Sequence, residues 1–304
     1  MYTVLAICLN PTFQRTFIIP QLWENEVNRS TEYYYDVAGK GLNTARILTQ
    51  LGISAIHLTH AGGEYGQQYL DMNAKAHIPI VAIDTATTVR TCYSIINSAA
   101  HTTTEIVEEA PAVAEDAEAK VFEKFRELLQ EVEVVTIAGS IAPGYSDDIY
   151  PQMVKEAKDA GKCVVLDIRG KTLLDCMQYN PDYINPNFTE FASTFLPGLS
   201  VKEHEDDQQV TSQIKEKMLD IYHEFGSTCV LTHGALPTLF VENEEVRQSP
   251  VKRIVPLNTI GSGDAFTSGM ISIILKGGTI GEAVHKGQEC GALNALKIRP
   301  GTIL

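Results

Sequence analysis

The sequence predicts an α/β protein: a mostly parallel central sheet with helices on both faces, plus a small separate β-sheet that forms a lid. Three observations predict it. Short β-rich runs alternate with segments of helical spacing through most of the chain. Several of those runs are apolar throughout, as strands covered on both faces are. Four early segments instead alternate with a period of two, the mark of half-exposed strands.

In chain order, residues 2–9 form a β-rich run, and 12–19 and 29–37 alternate. Gly39, Lys40 and Gly41 make a tight turn, and Thr44, Ala45, Ile47, Leu48 and Leu51 continue it as an amphipathic helix. Segments 88–97 and 103–109 alternate again. Residues 120–132 are helical and 133–140 a buried strand. Residues 147–161 are helical, stop at Gly161, and lead to the strand 162–168. The segment 200–209 is a polar loop or helix start. The helix 209–226 precedes the strand 228–234, and the turn 258–264 opens an apolar helix. The 304 residues form one domain, with the lid strands inserted at about 12–37 and 88–109.

Composition removes several functions. The formal charge of −14 argues against a nucleic-acid surface, which needs a basic face. Cys8, Cys92, Cys163, Cys176, Cys229 and Cys290 include no C-x-x-C pair and sit mostly in apolar runs, so they read as free thiols in a reducing cytoplasm. The first residues lack a basic n-region and read as a strand, and no apolar run approaches the ~20 residues of a membrane span.

Familiar nucleotide motifs fail. Gly170, Lys171 and Thr172 give G-K-T, but Val165 stands where a phosphate-binding loop requires its first glycine. The dinucleotide fingerprint needs a third glycine where Phe266 or Thr44 stands, which disfavours a dinucleotide-dependent oxidoreductase. His57 and His60 are spaced H-x-x-H without the glutamate of a metalloprotease.

Three stretches keep chemical interest. In "NTIGSGDAFTSG" (258–269), Gly261, Ser262 and Gly263 clear space at a helix N-terminus, where free amides and the helix dipole suit an anion. Asp264 at that mouth suits a base that takes a hydroxyl proton while the amides hold a phosphoryl group. An ordinary acid in a first helical turn fits the same residues. In "VAGKGLNTARILTQLG" (37–52), Gly39 and Gly41 allow backbone to approach a ligand and Lys40 and Asn43 offer polar contacts; a flexible loop with a solvated lysine is the plainer alternative. In "INPNFTEF" (184–191), Asn187 and Glu190 share a face and suit hydrated Mg²⁺, or simply start a helix.

Taken together, "LNPTF" (9–13), "VNR" (27–29), "AGKGLN" (38–43), "GSIAPG" (139–144), "NPNFTE" (185–190), "LTHGA" (231–235) and "NTIGSGD" (258–264) resemble the ribokinase-like (PfkB-type) sugar kinases over nearly the whole chain. "NTIGSGD" and "VRTCYSII" (89–96) are similar to forms in the tagatose-6-phosphate kinase and 1-phosphofructokinase branch. The resemblance implies a ribokinase-like fold, ATP and Mg²⁺ as cofactors, and a sugar or sugar phosphate as acceptor. It implies Asp264 as base and Gly261, Ser262 and Gly263 as anion hole. Asn187 and Glu190 would organise Mg²⁺. Thr232, Gly234 and Thr259 would flank the nucleotide, and Gly291, Ala292 and Asn294 would border adenine. Gln14, Gly39, Lys40, Gly41, Asn43 and Arg90 would face the sugar, under a lid through which the family often forms homodimers. Gln14 stands where the family usually has Asp, Asn185 where Lys is common, and Pro237 where Gly is usual. A kinase of free sugars or nucleosides, and a catalytically weak binding or regulatory protein of the same fold, are the alternatives.

Overall fold

The computed structural model describes residues 3–100, 102–199, 201 and 207–304. The elements are β1 (Val4–Ile7), β2 (Thr12–Ile19), β3 (Glu32–Ala38), α1 (Lys40–Gln50), β4 (Ala55–Ala61), α2 (Gly66–Lys75), β5 (Ile80–Asp84), β6 (Arg90–Asn97), β7 (Thr102–Val107), α3 (Ala117–Leu129), β8 (Val134–Ala138), α4 (Ile149–Asp159) and β9 (Cys163–Asp167). They continue as α5 (Gly170–Met177), β10 (Tyr183–Ile184), α6 (Phe188–Phe195), α7 (Gln208–Phe225), β11 (Thr228–His233), β12 (Leu236–Glu242), β13 (Glu245–Ser249), α8 (Ser262–Ile274) and α9 (Ile280–Ala295).

Among the described residues the main sheet has nine strands in the order β13-β12-β11-β10-β9-β8-β1-β4-β5. It is parallel from β11 to β5 and ends in the antiparallel hairpin β12–β13. The apolar run of β1 follows from its central place: Leu5 and Ile7 enter the core with Phe125, Val135 and Met153, while Val4 and Ala6 enter the opposite core with Leu42, Leu48 and Ile271. Each such fully buried aliphatic side chain contributes about 1.5–3 kcal/mol.

The strand order reverses at β1, with β4 on one side and β8 on the other. In an open α/β sheet this is where a crevice opens beyond the carboxyl ends of the strands. Here the chain leaves β1 for the lid. That second sheet has the order β3-β2-β6-β7, with β2 and β6 parallel and both outer pairs antiparallel. Phe13 anchors it: the ring is fully buried, stacks on Tyr35 at 5.3 Å and meets Tyr69 of α2 edge-on at 5.6 Å.

The α/β class, the parallel sheet and the separate small sheet match the sequence expectation. Boundaries differ by a few residues. The polar stretch 200–209 resolves at its end into the start of α7, capped by the Asp207 carboxylate on the Gln209 and Val210 amides. Residues 200 and 202–206 of that stretch, and Tyr2 of the first run, lie outside the described residues. The G-K-T triplet opens α5. His57 and His60 form no metal pair: they point to opposite faces of β4, one on the Ala6 carbonyl at 2.9 Å, the other on the Tyr145 hydroxyl at 3.0 Å. Burial pushes both imidazoles down to about 4. All six thiols are free, and no helix among the described residues is long and apolar enough to cross a membrane.

Candidate active site

The turn before α8 can be built only with glycine at its corner. Gly261 has φ +80°, and a Cβ there would lie 2.8 Å from the Gly301 amide nitrogen. Asn258 braces the turn, donating to the Ile298 carbonyl at 2.8 Å and accepting the Ile260 amide at 3.1 Å. Gly263 is exposed, with open space where a side chain would stand. The first helical turn therefore shows bare backbone to solvent at Gly263; Ser262 gives its amide to the Thr259 carbonyl at 3.1 Å, while the amides of Gly263 and Asp264 have no partner within the helix.

Asp264 follows immediately yet is buried, at 4% exposure. Asn43 of α1 donates Nδ2 to its Oδ2 at 2.7 Å across 221 residues of sequence. Burial pushes the carboxyl up to about 7, Asp167 adding to it, although Lys40, the Asn43 hydrogen bond and Arg46 pull the other way. A carboxylate poised near neutrality can accept and return a proton.

Lys40 opens α1 and donates to Asp167 at the end of β9 at 3.0 Å. Its side chain is 40% exposed, against 7% for Asp167. Burial alone would lower its ammonium, but Asp167, Asp264 and Glu190 hold it above the ordinary lysine value. Gly39 has φ +114°, a backbone conformation that favours glycine, and starts the helix. Gly41 does not face a ligand through its side-chain position: a Cβ there would lie 2.8 Å from both Cys8 Cβ and His57 Cε1, so it lets α1 pack against the sheet.

Around the crevice several buried polar atoms have no partner: Asn10 Oδ1, Asn43 Oδ1 and Arg90 Nε. Asn10 follows β1 and donates Nδ2 to Ser140 Oγ after β8 at 2.9 Å. Arg90 opens β6, gives Nη1 to the Glu108 carbonyl at 3.2 Å, and lies close enough to β1 to act on the Cys8 thiol. Buried polar atoms without partners are uncommon in folded proteins; Asn43 Oδ1 packs against Gly301, whereas Asn10 Oδ1 and Arg90 Nε remain available to polar ligand atoms. Gln14 is buried in the small sheet and donates Nε2 to Ser94 Oγ at 2.7 Å.

On the other side of α8, Asn187 and Glu190 form a capping box. Asn187 Oδ1 accepts the Glu190 amide and the Thr189 hydroxyl, both at 2.8 Å, and Glu190 Oε2 accepts the Asn187 amide at 3.1 Å. Both lone pairs of the Asn187 oxygen are thus taken, and Asn187 does not fit as a metal ligand. Glu190 Oε1 meets only Arg169, at 3.4 Å, and can face a hydrated cation. No cluster of three or more His, Cys, Asp or Glu among the described residues could hold a metal by itself; Mg²⁺ commonly needs one or two carboxylates besides water and phosphate. Thr232 bridges to Asn187, and Gly234 (φ +57°) and Thr259 are exposed. Ala292 is half-buried. Gly291 packs on α8, a Cβ there lying 3.2 Å from the Ser262 carbonyl oxygen. Asn294 borders no open space: it is fully buried, donating to the Ile260 carbonyl at 2.8 Å and Ser262 Oγ at 3.2 Å. Asn185 gives Nδ2 to Thr267 Oγ1 at 2.7 Å, and Pro237 falls where the β11–β12 register shifts.

The model of the pfkB family carbohydrate kinases matches residues 8–303. The chain belongs to that family. Among solved structures, phosphofructokinase-2 from Escherichia coli in complex with potassium is 21% identical, with a TM-score of 0.85 over 98% of this chain and 94% of that one. A possible 1-phosphofructokinase from Thermotoga maritima is 22% identical, with a TM-score of 0.86 over 98% and 93%. Ribokinase from the same organism is 16% identical, with a TM-score of 0.73 over 99% and 95%. At these identities the structures speak for the fold, which is ribokinase-like.

For a pfkB carbohydrate kinase, the arrangement joins a near-neutral carboxyl, the first-turn amides of α8 and the Lys40 ammonium. Asn10, Ser140 and Asp167 belong to that crevice but were not singled out as site residues in the sequence. Asp167 had a signal, an acid closing the apolar run "CVVLD". Asn10 and Ser140 lie in "LNPTF" and "GSIAPG", and only the adjacency of β1 and β8 brings them together.

Proposed function

We propose that this carbohydrate kinase transfers a phosphoryl group from ATP, with Mg²⁺, to a hydroxyl of a sugar phosphate of the tagatose 6-phosphate or fructose 1-phosphate type. The observation that carries the reading is the buried Asp264 directly beside the exposed Gly263. Asp264 Oδ2 is held by Asn43, which leaves Oδ1 to take the acceptor's proton. The amides of Gly263 and Asp264 and the Lys40 ammonium balance the negative charge that gathers beside it. Glu190 is the carboxylate placed to face Mg²⁺, which when bound neutralises phosphate charge. Thr232, Gly234 and Thr259 offer the nucleotide an open edge. Arg90, with its buried Nε unpaired, is the cation best placed to hold an acceptor phosphate, because a guanidinium donates two parallel hydrogen bonds. The free thiols fit a cytoplasmic enzyme. Exposed Trp23, Val27, Tyr33, Ile106 and Val107 fit a homodimer through the lid.

ADP release measured across ketohexose phosphates, free sugars and nucleosides tests the reading. A phosphorylated ketohexose should give the highest kcat/KM. Arg90→Ala should cost that substrate about tenfold or more relative to its unphosphorylated analogue, the loss of one charge-assisted pair. Equal losses on both would reject the sugar-phosphate acceptor and return the choice to a free sugar or nucleoside.

A further inference from the structure

After α9 the chain runs on as Arg299–Ile303, and this segment is gripped from two sides. From α1, Arg46 Nη1 donates to the Pro300 carbonyl at 3.0 Å, Gln50 Nε2 donates to Thr302 Oγ1 at 3.0 Å, and Gln50 Oε1 accepts the Ile303 amide at 2.8 Å. From α9, Asn294 Oδ1 accepts the Gly301 and Thr302 amides at 2.8 and 3.2 Å. The Nδ2 of that same buried Asn294 donates to Ile260 and Ser262. One side chain therefore fastens the segment to the anion-hole turn.

The segment also reaches the lid. Arg299 Nε donates to Asp36 Oδ2 at 3.0 Å, and its Nη2 pairs with Asp36 Oδ1, a two-pronged contact with β3. The next residue of β3 is held as well: Arg46 gives Nη2 to the Val37 carbonyl at 2.8 Å. There is no slack between these anchors. A Cβ on Gly301 would lie 2.4 Å from Asn43 Oδ1, and one on Gly261 would lie 2.8 Å from the Gly301 nitrogen. A shift of Pro300 and Gly301 must therefore displace Gly261, or Asn43 and with it Asp264. Closely packed contacts of this kind transmit a shift instead of absorbing it.

We propose that Arg299–Ile303 is a coupling strap that makes lid strand β3 and the 258–263 turn move as one, with Arg46 and Arg299 as positioning residues. An acceptor held under the lid would then be brought to the phosphoryl pocket in the motion that completes that pocket. Only this last consequence rests on the function proposed above; the strap is tested without any acceptor.

Hydrogen exchange by mass spectrometry on the full chain makes the test, with Arg299→Gln, Asp36→Asn, the double variant, and the charge-reversed pair Asp36→Arg with Arg299→Asp. Arg299 is 60% exposed and Asp36 15%, and neither side chain belongs to the hydrophobic core, so these changes leave the core intact. Each single variant should speed exchange by about threefold in peptides covering both 32–38 and 258–264. The double variant should be no faster than either single one, as for two residues that act through one contact, and the reversed pair should slow both peptides again. MgATP alone should slow both peptides in the unaltered protein and only 258–264 in Arg299→Gln. Faster exchange confined to 32–38 overturns the strap, as does MgATP protection of the turn that never reaches β3 in the unaltered protein. If MgATP protects neither peptide, the nucleotide reading falls, and exchange in the variants still decides the strap.

Discussion

Helices α6 and α8 both begin with an acid at the third helical position, and the two acids have opposite fates. In α6 the residue before the helix is Asn187, whose side chain accepts the Glu190 amide while Glu190 turns back to accept the Asn187 amide. In α8 the corresponding residue is Gly261, which has no side chain to offer. Asp264 therefore has no reciprocal cap. It turns inward to Asn43, is buried, and has its carboxyl pushed up to about 7. The residue three positions earlier decides whether an acid closes a helix or turns away from it. It also decides whether the first-turn amides are covered.

The comparison breaks most sharply at Asp264. Asp264→Asn should lower kcat by roughly 10²–10⁴-fold, the range for loss of a general base, with little change in substrate KM. The fold should gain stability, because an amide carries no charge to bury. The sign follows from linkage. The folded carboxyl titrates above its unfolded value, so the folded protein holds the extra proton between the two. The contribution of Asp264 to stability then falls as pH rises through that window and is fully unfavourable above about 7. Thermal unfolding should show the Asn variant ahead at pH 8 and level with the unaltered protein near pH 4. An advantage independent of pH would mean that the carboxyl is not raised.

The pH dependence of kcat/KM sharpens the same point. It should rise to a plateau with a midpoint near 7, the value of the Asp264 carboxyl. Asp167→Asn should move that midpoint down, because the Asp167 charge pushes Asp264 up. Lys40→Met should move it up, because the ammonium pulls it down. Shifts in the reverse directions would remove these two groups from the control of Asp264.

Gly261→Ala tests the cap from the other side. A Cβ at φ +80° costs about 1–2 kcal/mol for the left-handed backbone alone, and the clash with the Gly301 nitrogen adds to it. The melting temperature should drop and activity should fall with it, since the 258–263 turn beside Asp264 must move. Retained activity at full stability would show that the turn is softer than its contacts imply.

Much of this was legible in the sequence, for physical reasons that differ from place to place. The α8 turn was legible as a helix start because three small residues and an acid precede an apolar run. The sheet was legible because β1 and β8, buried on both faces, are continuous in apolar residues. The roles of Gly41 and Asn294 were not, because a small or amide side chain reads alike whether it meets a ligand or a neighbouring strand. Gly41 proves to touch Cys8 and His57, and Asn294 ties two backbone segments together. The strands β4 and β12 went unassigned because His57, Thr59 and His60 interrupt the apolar run of one and Pro237 that of the other, and β5 and β13 because they are short and only partly buried. Asn10 with Ser140, and Lys40 with Asp167, are contacts between distant segments, and no local pattern encodes them.

The smallest expected effects lie in α6, and they separate two roles that its first turn combines. Asn187→Ala removes the side chain that accepts the Glu190 amide and the Thr189 hydroxyl, which should cost about 1 kcal/mol of stability, as for other helix caps. The oxygen of Asn187 has no lone pair left for a metal, so the Mg²⁺ concentration giving half-maximal rate should stay close to its original value. Glu190→Gln should do the reverse. The Gln oxygen can still accept the Asn187 amide, so the capping box survives and the melting temperature should hardly move. The charge that faces the crevice beside Lys40 is lost, so half-maximal activity should require more Mg²⁺. Titrating Mg²⁺ against both variants, alongside their melting curves, places each residue on one side of that division. A raised Mg²⁺ requirement in Asn187→Ala with none in Glu190→Gln would exchange the roles and show that the capping box opens when the enzyme is loaded. No change in either would leave α6 as an ordinary capped helix and move the search for the metal's carboxylate to Asp167.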